Sequence, residues 1–126
     1  VIYLDTSAAV KTLIAEPETE LVRALFDSDV ELVSSRLMAV ELHAVADRRN
    51  LRAIDVRAVV DRVALVSLDD DVARLAIDLR SGLRTLDALH LATALLLGDD
   101  VTSVLSYDEE LISAAERHGL PRFAST

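Results

Sequence analysis

Apolar positions recur along the chain in two rhythms. Short apolar runs at 1–4, 30–34, 64–68 and 101–105 have the length and β-branched content of buried strands. Between them, apolar residues return at helical spacing over 7–16, 18–28, 35–49, 53–63, 70–80, 85–97 and 109–118. Phe123 is placed to begin a short terminal strand. Strands that alternate with helices pair in parallel through right-handed crossovers, so the pattern predicts an α/β sandwich with a small central sheet. Turn signals mark the joints. Pro17 ends the first helix, and Gly82 follows the helix ending near Arg80, where a left-handed cap is expected. Gly98-Asp99-Asp100 closes the leucine-rich helix and Gly119 the last one. No repeat or linker divides the 126 residues, which predicts one domain over 1–126.

Composition sharpens this picture. Apolar residues make up 52% of the chain but aromatics only 3%, so the core must be aliphatic. No apolar run reaches the roughly 18 residues that a membrane helix needs. An acid at position 5 and the lack of a basic leading segment speak against a secretory signal. The absence of cysteine removes disulfides and thiolate zinc sites and is compatible with a cytoplasmic protein. A net charge of −9 argues, at first sight, against a nucleic-acid partner. Yet 12 of the 13 basic residues are arginine, the side chain suited to bidentate phosphate contacts, and Lys11 is the only lysine. Acids that hold a metal would also be partly neutralised. Net charge alone therefore decides little.

The acids themselves say more. Asp5 follows the first strand, and Thr6 and Ser7 lead into a helix. The carboxyl ends of strands are where open α/β sheets bind ligands, although Asp5 equally suits a helix cap. Glu41 lies in a helix with Leu37, Met38, Val40, Ala44 and Val45, and positions 37, 41, 44 and 45 share one face. A carboxylate in such a stripe needs a metal or a partner, and an arginine is the structural alternative. Asp87 opens an almost wholly apolar helix for which Thr85 is the expected N-cap; an acid there also favours the helix dipole. Asp108 follows the run at 101–105 as Asp5 follows the first strand. Glu109, Glu110 and the Asp69-Asp70-Asp71 run read as solvated helix starts. Converging carboxylates with few histidines suit a hard cation such as Mg²⁺ or Mn²⁺. One or two such ions can activate water and stabilise the leaving oxygen in phosphodiester cleavage.

Several segments also match a known pattern in order: Tyr3-Leu4-Asp5-Thr6-Ser7-Ala8, then Glu41, then Thr85-Leu86-Asp87-Ala88-Leu89-His90-Leu91-Ala92-Thr93-Ala94, then Ser106-Tyr107-Asp108-Glu109-Glu110-Leu111. On these residues the sequence resembles the PIN-domain nucleases, most closely the VapC toxins of toxin–antitoxin pairs. The resemblance implies a three-layer sandwich around a parallel sheet of four to five strands. It implies that Asp5, Glu41, Asp87 and Asp108 form an acidic quartet around Mg²⁺ or Mn²⁺, supported by Ser7 and by Ser106, where the family often has threonine. It further implies an endoribonuclease acting on tRNA or rRNA, a homodimer, and a VapB-type antitoxin whose C-terminal segment lies across the groove.

Arg84, Arg36 and Arg48 are candidates for gripping an RNA backbone, since phosphate contacts position a strand. His90 lies close to the face of Asp87 and is read as a structural hydrogen-bonding residue rather than a general base; His43 and His118 look peripheral. A response-regulator receiver would need a lysine after a late strand, whereas Lys11 sits in the first helix. A phosphatase-like hydrolase with Asp5 as nucleophile would usually carry a second aspartate where Ser7 stands. A catalytically inactive PIN-like binding module is the remaining rival, weakened by the presence of all four acids.

Overall fold

The computed structural model describes residues 1–124. Four strands form one sheet: β1 (Ile2–Leu4), β2 (Leu32–Ser35), β3 (Ala64–Val66) and β4 (Ser103–Leu105). Their order is β3-β2-β1-β4, and every pairing is parallel. Ile2 faces Leu32 on one side and Ser103 on the other, so the first strand made becomes a central strand. The chain steps from β1 to β2 to β3 in one direction and then returns across β1 to place β4. That reversal opens a crevice outside the carboxyl ends of β1 and β4.

Among the described residues seven α-helices cover the sheet: α1 (Thr6–Ala9), α2 (Thr19–Asp27), α3 (Arg36–Arg49), α4 (Ala53–Arg62), α5 (Asp70–Asp78), α6 (Thr85–Leu96) and α7 (Glu109–Arg117). Side chains alternate across a strand, and the core divides accordingly. Ile2, Leu4, Leu32 and Leu105 point to one face, where Met38 and Leu42 of α3 and Val56 of α4 meet them. Tyr3, Val33 and Val104 point to the other, against Leu91 of α6 and Leu111 and Ile112 of α7. The result is the expected three-layer α/β sandwich. α3 and α6 lie on opposite faces, so groups at their amino-terminal turns can meet only past the strand ends.

Four local expectations need correction. The first helix does not run over 7–16: it stops at Ala9 and tightens into a 3₁₀ turn at Val10–Thr12. Thr12 Oγ1 donates back to Ala9 O at 2.8 Å, in competition with the helical ladder. Lys11 is drawn inward to Glu16 and Glu18, at 2.7 and 3.2 Å. After α5 the first left-handed residue is Arg80, with φ of 48°, ahead of Gly82 at 77°. The terminal strand expected at Phe123 shrinks to one bridge, in which Val104 donates to Pro121 O and Phe123 donates back to Val104 O. Finally, Thr85 is not the cap of α6. Arg84 occupies that position, without a side-chain bond.

Candidate active site

Asp5 is the residue that leaves β1 and caps α1. Its Oδ1 accepts from Ala8 N at 3.1 Å and from Ser7 Oγ at 2.6 Å, and its Oδ2 accepts from Ser106 Oγ at 2.7 Å. The capping role is therefore real, but a cap alone would not need two further hydroxyls. Asp5 is only 3% exposed. Burial drives its carboxyl pKa up, and the hydroxyls of Ser7 and Ser106 restrain the rise without cancelling it.

The same two serines tie the end of β4 to the end of β1. Ser7 Oγ accepts from Tyr107 N at 2.9 Å, and Ser106 Oγ accepts from Asp108 N at 3.0 Å. The two Oγ atoms lie 3.3 Å apart. Asp108 in turn caps α7, its Oδ1 accepting from Glu110 N at 2.9 Å and Leu111 N at 3.2 Å. Sequence residues about 100 apart thus share one polar knot.

Glu41 reaches this region from the other layer. Its Oε1 accepts from Thr6 Oγ1 at 2.7 Å and is joined to His90 Nε2 at 2.8 Å. The arginine partner that a buried glutamate would ordinarily seek is absent among the described residues. The fully packed line of α3 is Met38, Leu42 and Ala46, so Glu41 flanks the stripe with its side chain 22% exposed rather than standing within it. Burial pushes its carboxyl pKa up, but the bonds from His90 and Thr6 outweigh that and hold it below the usual range. Thr6 was not singled out from the sequence, although its place directly after Asp5 on a helix start was the available signal.

Asp87 sits in the first turn of α6, one turn before His90. Burial, then the charge and hydrogen-bonding reach of Asp108, then the charge of Asp5, push its carboxyl up to about 6; the nearby His90 offsets a little. Asp87, Asp108 and Asp5 therefore feel one another, and His90 links that group to Glu41. Among the described residues none of the four acids is paired with lysine or arginine. Arg36 and Arg84 are exposed and open α3 and α6, while Arg48 lies in the last turn of α3, about 18 Å further along its axis. His43 and His118 are exposed.

Whether a divalent cation suits this site turns on its chemistry. Among the described residues no three His, Asp or Glu side chains stand, as placed, in a group that could hold a metal ion. Two of the acids are committed, through Asp5 Oδ1 and Asp108 Oδ1, to capping helices. What fits is the donor set, which is oxygen throughout, together with the burial and then the repulsion from Asp108 and Asp5 that raise Asp87. A cation among these oxygens would offset that repulsion; Asp87 makes no hydrogen bond among the described residues, and Glu41, held at Oε1 by Thr6 and His90, would act through Oε2.

Comparisons with known proteins agree with this architecture. The model of the PIN domain family matches residues 2–118. Ribonuclease VapC46 of Mycobacterium tuberculosis is 37% identical over 125 residues, which span 94% of this chain and 93% of that protein. Among solved structures, Mycobacterium tuberculosis VapC20, a sarcin-ricin loop cleaving toxin, superposes with a TM-score of 0.70 at 17% identity, over 99% of this chain and 100% of that one. A toxin-antitoxin complex from Klebsiella pneumoniae contains a chain that also reaches a TM-score of 0.70, at 19% identity, over 86% of this chain and 87% of its own.

Proposed function

The chain belongs to the PIN domain family, among the VapC ribonucleases, and on that premise we propose that it is a Mg²⁺- or Mn²⁺-dependent endoribonuclease toxin. What supports the metal dependence is the bonding that brings the strand-end acids together, Asp5 and Asp108 through Ser106 and Glu41 through Thr6, with no lysine or arginine paired to any of them among the described residues. In this reading Asp5, Glu41 and Asp87 hold the ion, and Asp108 completes the site directly or through water. A bound cation supplies positive charge to the scissile phosphate and lowers the pKa of water. Hydrolysis adds water across the P–O3′ bond, releasing a 5′-phosphate and a 3′-hydroxyl.

The chain's own residues prepare that step. Ser7 and Ser106 hold both oxygens of Asp5, and Thr6 holds one oxygen of Glu41, which fixes the direction from which each carboxylate acts. Arg36 and Arg84, exposed at the helix starts beside the crevice, take the RNA phosphates. With two tyrosines and two phenylalanines in the whole chain, base stacking contributes little, and arginines carry the recognition of a tRNA or rRNA segment.

The proposed partners are a VapB-type antitoxin and a second copy of the chain. Val40 and Leu86 are 65% and 46% exposed and adjoin Glu41 and Asp87 in sequence. We take these exposed apolar residues as part of the surface that a VapB-type antitoxin segment covers, and a homodimer is part of the proposal. No helix among the described residues is long and apolar enough to cross a membrane; the proposed site of action is the cytoplasm.

Expression from a tightly controlled promoter in a bacterial host, with mapping of new RNA 5′ ends, tests the activity. Discrete new ends in the parent and none in Asp5→Asn support the reading. Identical ends in both would remove the quartet from catalysis.

A further inference from the structure

One buried polar line is left unused by the site as described so far. Tyr3, in the centre of β1, turns its hydroxyl to His90 Nδ1 at 2.7 Å, and the two rings meet edge to face with centroids 5.9 Å apart. His90 Nε2 continues to Glu41 Oε1 at 2.8 Å. Behind the phenol, Ser35 N donates to Tyr3 OH at 3.3 Å. Tyr3 and His90 are 1% and 2% exposed in an otherwise aliphatic layer. Phenylalanine and leucine would fill the same space without polar atoms to satisfy, so packing alone does not account for the pair.

The direction of each proton in this line is fixed by what its neighbours can do. Ionised Glu41 only accepts, and its Oε1 already takes the Thr6 hydroxyl, so His90 Nε2 must carry hydrogen. In the neutral ring Nδ1 is then an acceptor, and Tyr3 must be the donor. The phenol oxygen is left free to accept from Ser35 N. Ser34 Oγ and Thr93 Oγ1 are the other groups close to the phenol; Thr93 gives its hydrogen to Leu89 O, and Ser34 Oγ makes no hydrogen bond.

We propose that Tyr3 is a positioning residue for Glu41: its hydroxyl holds His90 Nδ1, so that the Nε2–H that Glu41 requires stays aimed at Oε1, and His90 with Thr6 pins Oε1 so that Oε2 is presented to the cation. Among the described residues Oε2 carries no hydrogen bond, in keeping with that division of labour. The inference rests on the cation reading of the carboxylates and adds two residues to it. Without the phenol, Nδ1 has no donor and the ring loses its anchor; it can then turn or carry its hydrogen on Nδ1, which leaves Glu41 Oε1 held by Thr6 alone.

The test combines imidazole ¹⁵N NMR of the cation-free protein with calorimetric titration by Mn²⁺. The expected result is an Nε2–H tautomer in the parent and loss of that single tautomer in Tyr3→Phe, which keeps the ring. Mn²⁺ affinity should fall about 10- to 100-fold in Tyr3→Phe, the range found when a residue behind a metal ligand is removed. His90→Gln keeps an N–H toward Glu41 and has no tautomers. It should bind Mn²⁺ nearly as the parent does, and adding Tyr3→Phe to it should change nothing further. An unchanged tautomer and affinity in Tyr3→Phe, or an undiminished Tyr3→Phe effect in the His90→Gln background, overturns the relay. Mn²⁺ binding that is lost in Glu41→Gln but indifferent to Tyr3→Phe overturns the relay alone. Absence of Mn²⁺ binding by the parent overturns the cation reading and the relay with it.

Discussion

Replacing Asp87 by asparagine asks whether the crowded acids strain the empty-handed fold. In the folded protein burial, then Asp108 and Asp5, raise this carboxyl from 3.8 to about 6. Between those values the folded state keeps a proton that the unfolded chain has released, so the contribution of Asp87 to stability falls as pH rises through the window. Taken at face value the penalty above the window is roughly 3 kcal/mol. Asp87 is partly exposed, and solvent screening reduces the expected figure to about 1–2 kcal/mol. Asp87→Asn removes the charge at every pH. In chelator it should therefore be more stable than the parent by about 1–2 kcal/mol near pH 8, with the advantage gone near pH 4. Urea unfolding at both pH values measures this, provided the slopes of the two proteins agree. The other titrating groups are common to both, so the difference between the curves reports Asp87 together with its coupling to Asp108 and Asp5. Adding Mn²⁺ should reverse the order, because a ligand stabilises the protein that binds it better. A variant no more stable than the parent at pH 8, or an advantage that is the same at pH 4, would refute the electrostatic reasoning.

Other expectations are simpler. Ser106→Ala removes the donor to Asp5 Oδ2 and the acceptor of Asp108 N, and should cost about 1–3 kcal/mol in denaturant unfolding; a negligible loss would show that the knot is ornamental to stability. Arg84→Ala should raise KM for RNA, leave kcat nearly unchanged and flatten the dependence of binding on salt. An unaltered salt slope would remove Arg84 from the phosphate contacts. Leu91→Ala, at a side chain 1% exposed between β1 and α7, should destabilise by about 2–5 kcal/mol, read as a lower urea midpoint with cleavage retained below the transition.

The strand–helix rhythm carried most of the fold, because alternation across β1 and helical spacing in α3, α6 and α7 are local properties. It misplaced what depends on distant partners. The break after Ala9 reflects the inward pull of Glu16 and Glu18 on Lys11, which lies over the ring of Tyr107. The cap of α6 falls at Arg84 because the preceding loop, with Arg80 and Gly82 both left-handed, delivers the chain there one residue early. The acids at 5, 87 and 108 stood out because each ends a strand or opens a helix. Their neighbours did not. Tyr3 and His90 are 87 positions apart, and Glu41 and His90 are 49 apart, so nothing local announces that they touch. A tyrosine inside a strand reads as core, and His90 reads as a hydrogen-bonding residue whose partners stay hidden until the two layers are brought together.

The serine knot between β1 and β4 also has a meaning in time. β1 emerges first during synthesis, but the hydroxyl that holds Asp5 Oδ2 belongs to Ser106, 101 residues later. Contacts of such separation form late, after the intervening chain has paid its loop-closure entropy. A growing chain can build α3 against β2 and yet hold Asp5 only by Ser7 and the amide of Ala8. The acidic centre is thus assembled last, when β4 docks, and a nascent chain still on the ribosome carries its carboxylates unassembled beside the very RNA it is proposed to threaten.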